Sequence, residues 1–388
     1  MKVSADYRML ALDVLRGKWR TAVLTGIAAS ALGATIVSGT SSVTSNSNQS
    51  MRKLHGPFST AILPQHLPNR MKHIDFYNIK GLKTMKRRVF LIGTVALLLG
   101  GAAISVFTQK KKQEPVLQQI EYSNFTDMDT QTLLTDLLHE ADVSDTRIQI
   151  FMNHVQRFNQ DMKADWLTAG FETAEPLDLK YDPYDMQDQW TEKENSFPGW
   201  NCRITSFGLF GDFVTFDGEM PSDAGADTLF MDYETLDEDP ASLCGDSLQK
   251  FSAWFAPVDT VSTTDIQTHL KKFQQEWSNR GLSFKDDSKI RLISVIFHNS
   301  FSETENSLMI GHTGVLLPAS DGLYFVEKVA FQEPYRLLKF KTQTELSDYL
   351  MLKYDTEWGQ DTAHPFILEN NALMDGWRIL DHSAETNG

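Results

Sequence analysis

Residues 89–107, VFLIGTVALLLGGAAISVF, run for nineteen positions without one charged side chain. At about 1.5 Å of rise per residue, a helix of that length nearly reaches across a hydrocarbon core of ~30 Å. The run is apolar on every face, which a helix lying on a water-soluble domain is not. Lys83, Lys86, Arg87 and Arg88 stand before it, and Lys110, Lys111 and Lys112 follow it. Arg52, Lys53, Arg70, Lys72 and Lys80 add positive charge on the N-terminal side, so that side is expected in the cytoplasm. A competing reading is a cleaved signal peptide beginning at Met85, whose Met-Lys-Arg-Arg start suits that role. No cysteine directly follows the run to accept a lipid. The expectation is a single-pass protein of the cell membrane, anchored through residues 89–107, with its C-terminal domain extracellular.

Charge divides the chain at the same place. Residues 1–112 hold 17 Lys and Arg against 3 Asp and Glu, whereas the remainder holds 19 against 48. A body this acidic repels phosphate backbones, so no nucleic-acid partner is expected. The two cysteines, Cys202 and Cys244, are too few for a disulfide scaffold or a cysteine zinc cage. The chain divides into a basic, apolar leader at 1–38, a Ser/Asn-rich and poorly ordered linker at 39–84, the membrane segment at 89–107, and an acidic domain at 118–388. The leader's apolar stretch at 21–39 is marginal as a second span. Its residues 11–26, ALDVLRGKWRTAVLTG, resemble the opening of a family of multi-pass bacterial membrane proteins of unknown function (DUF975), here truncated or fused.

Within the acidic domain, apolar spacing predicts helices first and strands later. Leu133, Leu134, Leu137 and Leu138 mark a helix over 129–141. Ser144 is placed to cap a second, with Ile148, Phe151, Met152, Val155, Phe158 and Met162 on one face. A short helix is expected at 184–194, and another from Asn201-Cys202 with Ile204, Phe207 and Phe210 inward. Residues 211–250, acidic and punctuated by Gly and Pro, read as an insertion or lid. Thr263 or Thr264 caps a helix carrying Ile266, Leu270, Phe273 and Trp277. The period then changes, and strands are expected at 290–298, 308–317 and 323–331, the last two joined by a tight turn at 319–322. A helix at 344–354 follows. Helices and then a strand meander imply an α+β fold.

Three residues form the candidate site: Cys202, His312 and Glu327. Cys202 follows Asn201, a good N-cap residue, and therefore sits in a first helical turn where positive potential favours a thiolate. His312 lies mid-strand in Gly311-His312-Thr313-Gly314-Val315, between small neighbours. Counting outward from a turn that pairs Ala319 with Gly322, Gly314 faces Glu327. Glu327 and His312 then share one side of the hairpin as diagonal neighbours. A carboxylate there orients an imidazole for base work. The blander readings are a small buried cysteine in a Phe-rich helix, a histidine that satisfies a hairpin, and a surface Glu327 paired with Lys328 or Arg336.

Cysteine at a helix start, histidine in a His-x-Gly-apolar strand and a polar residue on the next strand resemble the papain-like NlpC/P60 cysteine peptidases of bacterial cell walls. The matching pieces are Asn201-Cys202-Arg203, His312-Thr313-Gly314-Val315 and Phe325-Val326-Glu327. The chain departs from that pattern in its long Cys-to-His separation and in glutamate as third residue. A second resemblance spans nearly the whole acidic domain. Tyr122-Ser123-Asn124, Trp200-Asn201-Cys202-Arg203-Ile204-Thr205, Gly311 to Pro318, Glu327-Lys328, Glu333-Pro334-Tyr335 and Lys353 to Gln360 are similar to an exported bacterial family of unknown function (DUF4300). That resemblance implies export and supplies no activity.

Together these readings imply a papain-like core of N-terminal helices and a small antiparallel sheet, preceded by a transmembrane helix. Cys202 would be nucleophile, His312 general base and Glu327 the orienting group of a thiol hydrolase cleaving amide bonds, cell-wall peptides being one substrate class. The alternative is a non-catalytic cell-surface binding domain. No cofactor and no metal are expected, since neither His298 nor His364 has a second ligand at ligand spacing. The acidic run at 237–239 lacks the spacing of a calcium loop. Tyr354, Trp358 and Trp377 are candidates for lining a groove or packing the core. The two cysteines are expected to be unlinked, because a nucleophile must be free.

Overall fold

The computed structural model describes residues 113–178, 180–285, 287–356 and 361–381. The leader, the linker and the 89–107 segment lie outside the described residues. Among the described residues no helix is long and apolar enough to cross a membrane.

The described domain is α+β, as the order of periodicities predicts, with eight α-helices among the described residues. Helices α1 (Met128–Glu140) and α2 (Asp145–Asp161) open it. Asp127 caps α1 by accepting from the Thr130 N–H, and Leu134, Leu137 and Leu138 are its buried stripe. Ser144 stands at the α2 N-cap position but makes no side-chain cap bond, while Ile148, Phe151, Val155 and Phe158 are buried as their spacing predicts. Helices α3 (Pro183–Glu194) and α4 (Cys202–Phe210) follow.

The segment expected to be an insertion or lid is instead part of the folded body. It contains β3 (Val214–Phe216), α5 (Ala226–Glu238) and the start of α6 (Leu248–Phe255). Phe213, Val214, Leu229 and Leu236 from it are buried in the main core. The acidic side chains between these apolar positions hide the period in the sequence. Helix α7 (Ile266–Asn279) is capped by Asp265 rather than by the expected Thr263 or Thr264. The Asp265 carboxylate accepts from the N–H groups of Gln267 and Thr268, whereas Thr263 accepts from the N–H of Asp265 itself. An ionised cap satisfies two orphan donors where a hydroxyl satisfies one.

Among the described residues the main sheet has nine strands, all paired antiparallel, in the order β11 (Ala372–Leu373)-β10-β6-β7-β8-β9-β1-β2 (Glu172–Ala174), with β4 (Val258–Asp259) also pairing to β7, while β3 pairs separately with β5 (Leu282–Phe284). Its centre is β6 (Arg291–Ser300), β7 (Asn306–Ala319) and β8 (Gly322–Lys328). Eight consecutive residues of β6 are buried, so both of its faces are covered. The 319–322 turn is as expected: Ala319 pairs with Gly322, and the register carries Gly314 opposite Glu327. Strand β8 ends at Lys328 rather than running to 331. Strands β1 (Ile120–Ser123), β9 (Tyr335–Phe340) and β10 (Phe366–Glu369) extend the sheet beyond the expected meander. Helix α8 (Gln343–Tyr354), capped by Thr342, has a continuous buried run from Leu346 to Met351.

Candidate thiol site

Helix α4 carries Cys202 as its first residue. Asn201 is the N-cap, and its side-chain oxygen accepts from the Ile204 N–H at 3.0 Å. That bond spends one of the first-turn donors and leaves the N–H groups of Cys202 and Arg203 outside the helical ladder. Almost the whole of α4 is buried, because Ile204, Phe207, Leu209 and Phe210 place apolar groups around its circumference.

Strand β7 presents His312 next to an irregularity. Opposite β6, Val295 pairs with His312 while Ile296 pairs with Ile310, so Gly311 is an extra residue in the ladder. Glycine is required there, since a Cβ would stand 2.0 Å from the Phe297 ring. Gly314 is needed for a similar reason: a Cβ would lie 2.5 Å from the Val326 carbonyl and 2.4 Å from the Phe325 ring. The small neighbours of His312 are thus explained by close packing of β7 on β6 and β8.

All three expected residues come together. Glu327 accepts a hydrogen bond from His312 Nε2 at 2.7 Å, and the thiol of Cys202 is electrostatically coupled to the same ring. With Nε2 committed to Glu327, Nδ1 is the nitrogen left for the thiol. The group is enclosed: relative exposure is 5% for Cys202, 1% for His312 and 0% for Glu327. The surface reading of Glu327 is therefore wrong; it does not pair with Lys328, whose ammonium reaches the Glu333 carbonyl and stands over the Phe158 ring.

Electrostatics favour a charged pair. Burial alone would raise the Cys202 thiol, but its interaction with His312, together with Arg203, outweighs burial and holds the thiol below its ordinary value. Burial pulls His312 down, and its interactions with Cys202 and Glu327 lift it above its ordinary value. Glu327 is held far below the carboxylate range despite burial, by Lys353, His312 and Arg336. Arg336 is its cross-strand partner on β9. Cys244 behaves as a buried thiol without such help and is pushed up to about 11. Both cysteines are free.

Further residues at the site come from α8. Tyr349 donates to the second Glu327 oxygen at 2.5 Å, and Lys353 Nζ stands 3.8 Å from that oxygen and 3.3 Å from the Tyr349 hydroxyl. The Tyr354 ring stacks on His312 with centroids 4.8 Å apart and planes 23° apart. Tyr354 is thus part of the site, Trp377 is a core residue donating to the Pro365 carbonyl, and Trp358 lies outside the described residues. The helical spacing of Tyr349 and Lys353, four apart, was the signal that two polar groups share one face of α8.

Other histidines among the described residues take other roles. His298 accepts from the Ala363 N–H and reaches Asn306, beside His269, and His364 pairs with Asp355. In the acidic run, Asp239 bonds His154 and Ser242 at the end of α5.

Residues 121–374 match the family described as "Domain of unknown function (DUF4300)". No curated protein and no solved structure matches the chain.

Proposed function

The chain belongs to that family, and we propose that its folded domain is a thiol hydrolase that cleaves amide bonds. One observation carries the reading: a buried relay in which Glu327 holds one nitrogen of His312 and leaves the other for a thiol at a helix N-terminus. The order of helix, strand and next strand is similar to that of papain-like NlpC/P60 peptidases, which makes cell-wall peptides the substrate class to try first.

In this reaction the Cys202 thiolate attacks the amide carbonyl carbon, forming a C–S bond and an oxyanion. The N–H groups of the first α4 turn are the donors available to that oxyanion. The C–N bond then breaks, and the His312 imidazolium gives its proton to the departing amine. Water, deprotonated by His312, attacks the thioester, and the C–S bond breaks to return the thiolate. Glu327 keeps the ring oriented and favours its protonated form throughout.

Wild-type protein and Cys202→Ala are to be incubated with peptidoglycan fragments and peptide amides, and new amines counted. Release by the wild type alone supports the reading. Equal release by both, or none by either on any amide, would sink it. The second reading, a surface domain that binds without catalysis, is favoured by the near-complete burial of the thiol. A thiol that resists iodoacetamide with or without His312 belongs to that reading. Under either one, we propose that residues 89–107 tether the domain outside the cell membrane. Protection of the domain from protease added to intact cells would contradict that placement.

A further inference from the structure

Asp232 lies on α5, in the segment whose acidic composition suggested a loose insertion, and its carboxylate is 1% exposed. It holds both residues that flank Cys202. One oxygen accepts from Asn201 Nδ2 at 2.8 Å and from Arg203 Nε at 2.9 Å; the other accepts from Arg203 Nη2 at 2.7 Å. Arg203 is itself mostly buried, and its Nη1 lies 3.5 Å from the Ile310 carbonyl, next to the extra residue of β7. The guanidinium fork thus joins three elements: α5, the nucleophile's helix and the strand that carries His312. A planar two-point contact fixes direction as well as distance.

We propose that Asp232 is a positioning residue of the thiol site, fixing the first turn of α4, and with it Cys202, in register with His312. The proposal rests on the thiol-hydrolase reading. Asp232 touches no reacting atom in it; it acts through Asn201 and Arg203. A carboxylate is needed because it accepts three bonds from two side chains. An asparagine would offer one oxygen and turn N–H groups toward donors.

Position and through-space charge make opposite demands, which gives the test its sign. Asp232's negative charge by itself raises the Cys202 thiol. If charge were all, Asp232→Asn would shift the thiol down. If Asp232 positions Cys202, the substitution loosens the thiol's placement against His312 and the thiol shifts up.

The experiment follows iodoacetamide labelling of Cys202 against pH in the full chain by mass spectrometry, with Cys244 as internal reference. The expected result for Asp232→Asn is a labelling midpoint raised by about one unit, equal to about a tenfold loss of thiolate below the midpoint. A midpoint that falls or stays put overturns the clamp. Arg203→Lys keeps the charge but removes the fork, and its midpoint is also expected to rise. If Asp232→Asn does not fold, Arg203→Lys decides: an unchanged midpoint overturns the proposal. Wild-type Cys202 that labels like an ordinary buried thiol, indifferent to His312→Ala, would remove the thiol-site reading and the clamp with it. A low wild-type midpoint with an unmoved Asp232→Asn removes only the clamp.

Discussion

Glu327→Gln separates a charge from a hydrogen-bond acceptor at the centre of the site. The side chain keeps its size, but two donors, His312 Nε2 at 2.7 Å and Tyr349 at 2.5 Å, now face an amide with one oxygen. One of them must meet an N–H group. Lys353 at 3.8 Å and the cross-strand Arg336 lose their counter-charge in a buried setting. Hydrogen bonds to a charged group are each worth ~1.5–3 kcal/mol, and breaking a buried ion pair from one side costs ~3–5 kcal/mol. These terms describe the same contacts and overlap, so the expected loss is about 3–5 kcal/mol out of the ~5–15 kcal/mol typical of a domain. Urea unfolding followed by tryptophan fluorescence should show an earlier midpoint with an unchanged slope. The carboxylate's folded pKa is depressed, so its contribution is complete above the ordinary 4.5 and is lost as pH falls through the depressed value. The gap between wild type and variant should therefore close in acid. Cys202 labelling should slow in parallel, because His312 loses a partner that favours its charged form. A variant with the wild-type urea midpoint and wild-type labelling would refute the account of Glu327 as the fixed anion of the relay.

Tyr354→Phe should keep Cys202 labelling near wild type, whereas Tyr354→Ala should slow it by up to about tenfold, since ring stacking is worth ~0.5–1.5 kcal/mol. Gly314→Ala should cost about 1–3 kcal/mol in thermal or urea unfolding, because its Cβ meets the Val326 carbonyl as well as a ring; a neutral result would show that β7 and β8 separate freely there. Burial pushes His269 and His298 below their ordinary 6.5, so the unfolded chain takes up protons first. Their contribution is whole above that value and lost as pH falls through the folded values, and His298→Gln should flatten the decline of Tm between about pH 7 and pH 5. Cys244, pushed up to about 11, should label with iodoacetamide after Cys202 at neutral pH; the reverse order counts against an activated Cys202.

The parts of the site that could be read from the chain were those fixed by local rules. Asn201 before Cys202 announced a cap, and the turn at 319–322 fixed a register that brought Gly314 opposite Glu327. Period-two counting survives because pairing distances along a hairpin are local. What escaped depends on distant segments. Asp232 belongs to a helix whose buried positions Leu229, Asp232, Thr235 and Leu236 are half polar, so its stripe does not read as a core face. A buried acid on such a stripe is a signal only once its partner is known. Strands β1, β9 and β10 are four to six residues long, too short for periodicity to separate strand from buried helix. The extra residue at Gly311 is invisible from either strand alone, since a bulge is a mismatch between two partners.

The relay is also spread along the chain in a way that bears on synthesis. Cys202 emerges from the ribosome more than a hundred residues before His312, and Glu327, Tyr349 and Tyr354 come later still. Until β7, β8 and α8 are made and packed, the thiol has no imidazole beside it. An unfinished chain carries a cysteine with the sluggish chemistry of any other. The proposed reactivity would arise only when long-range pairing closes the sheet, the slow step for a fold dominated by distant contacts. On the proposed hydrolase reading, the polypeptide would be unable to attack its own amides, or those of the machinery that makes it, before it has reached its final shape.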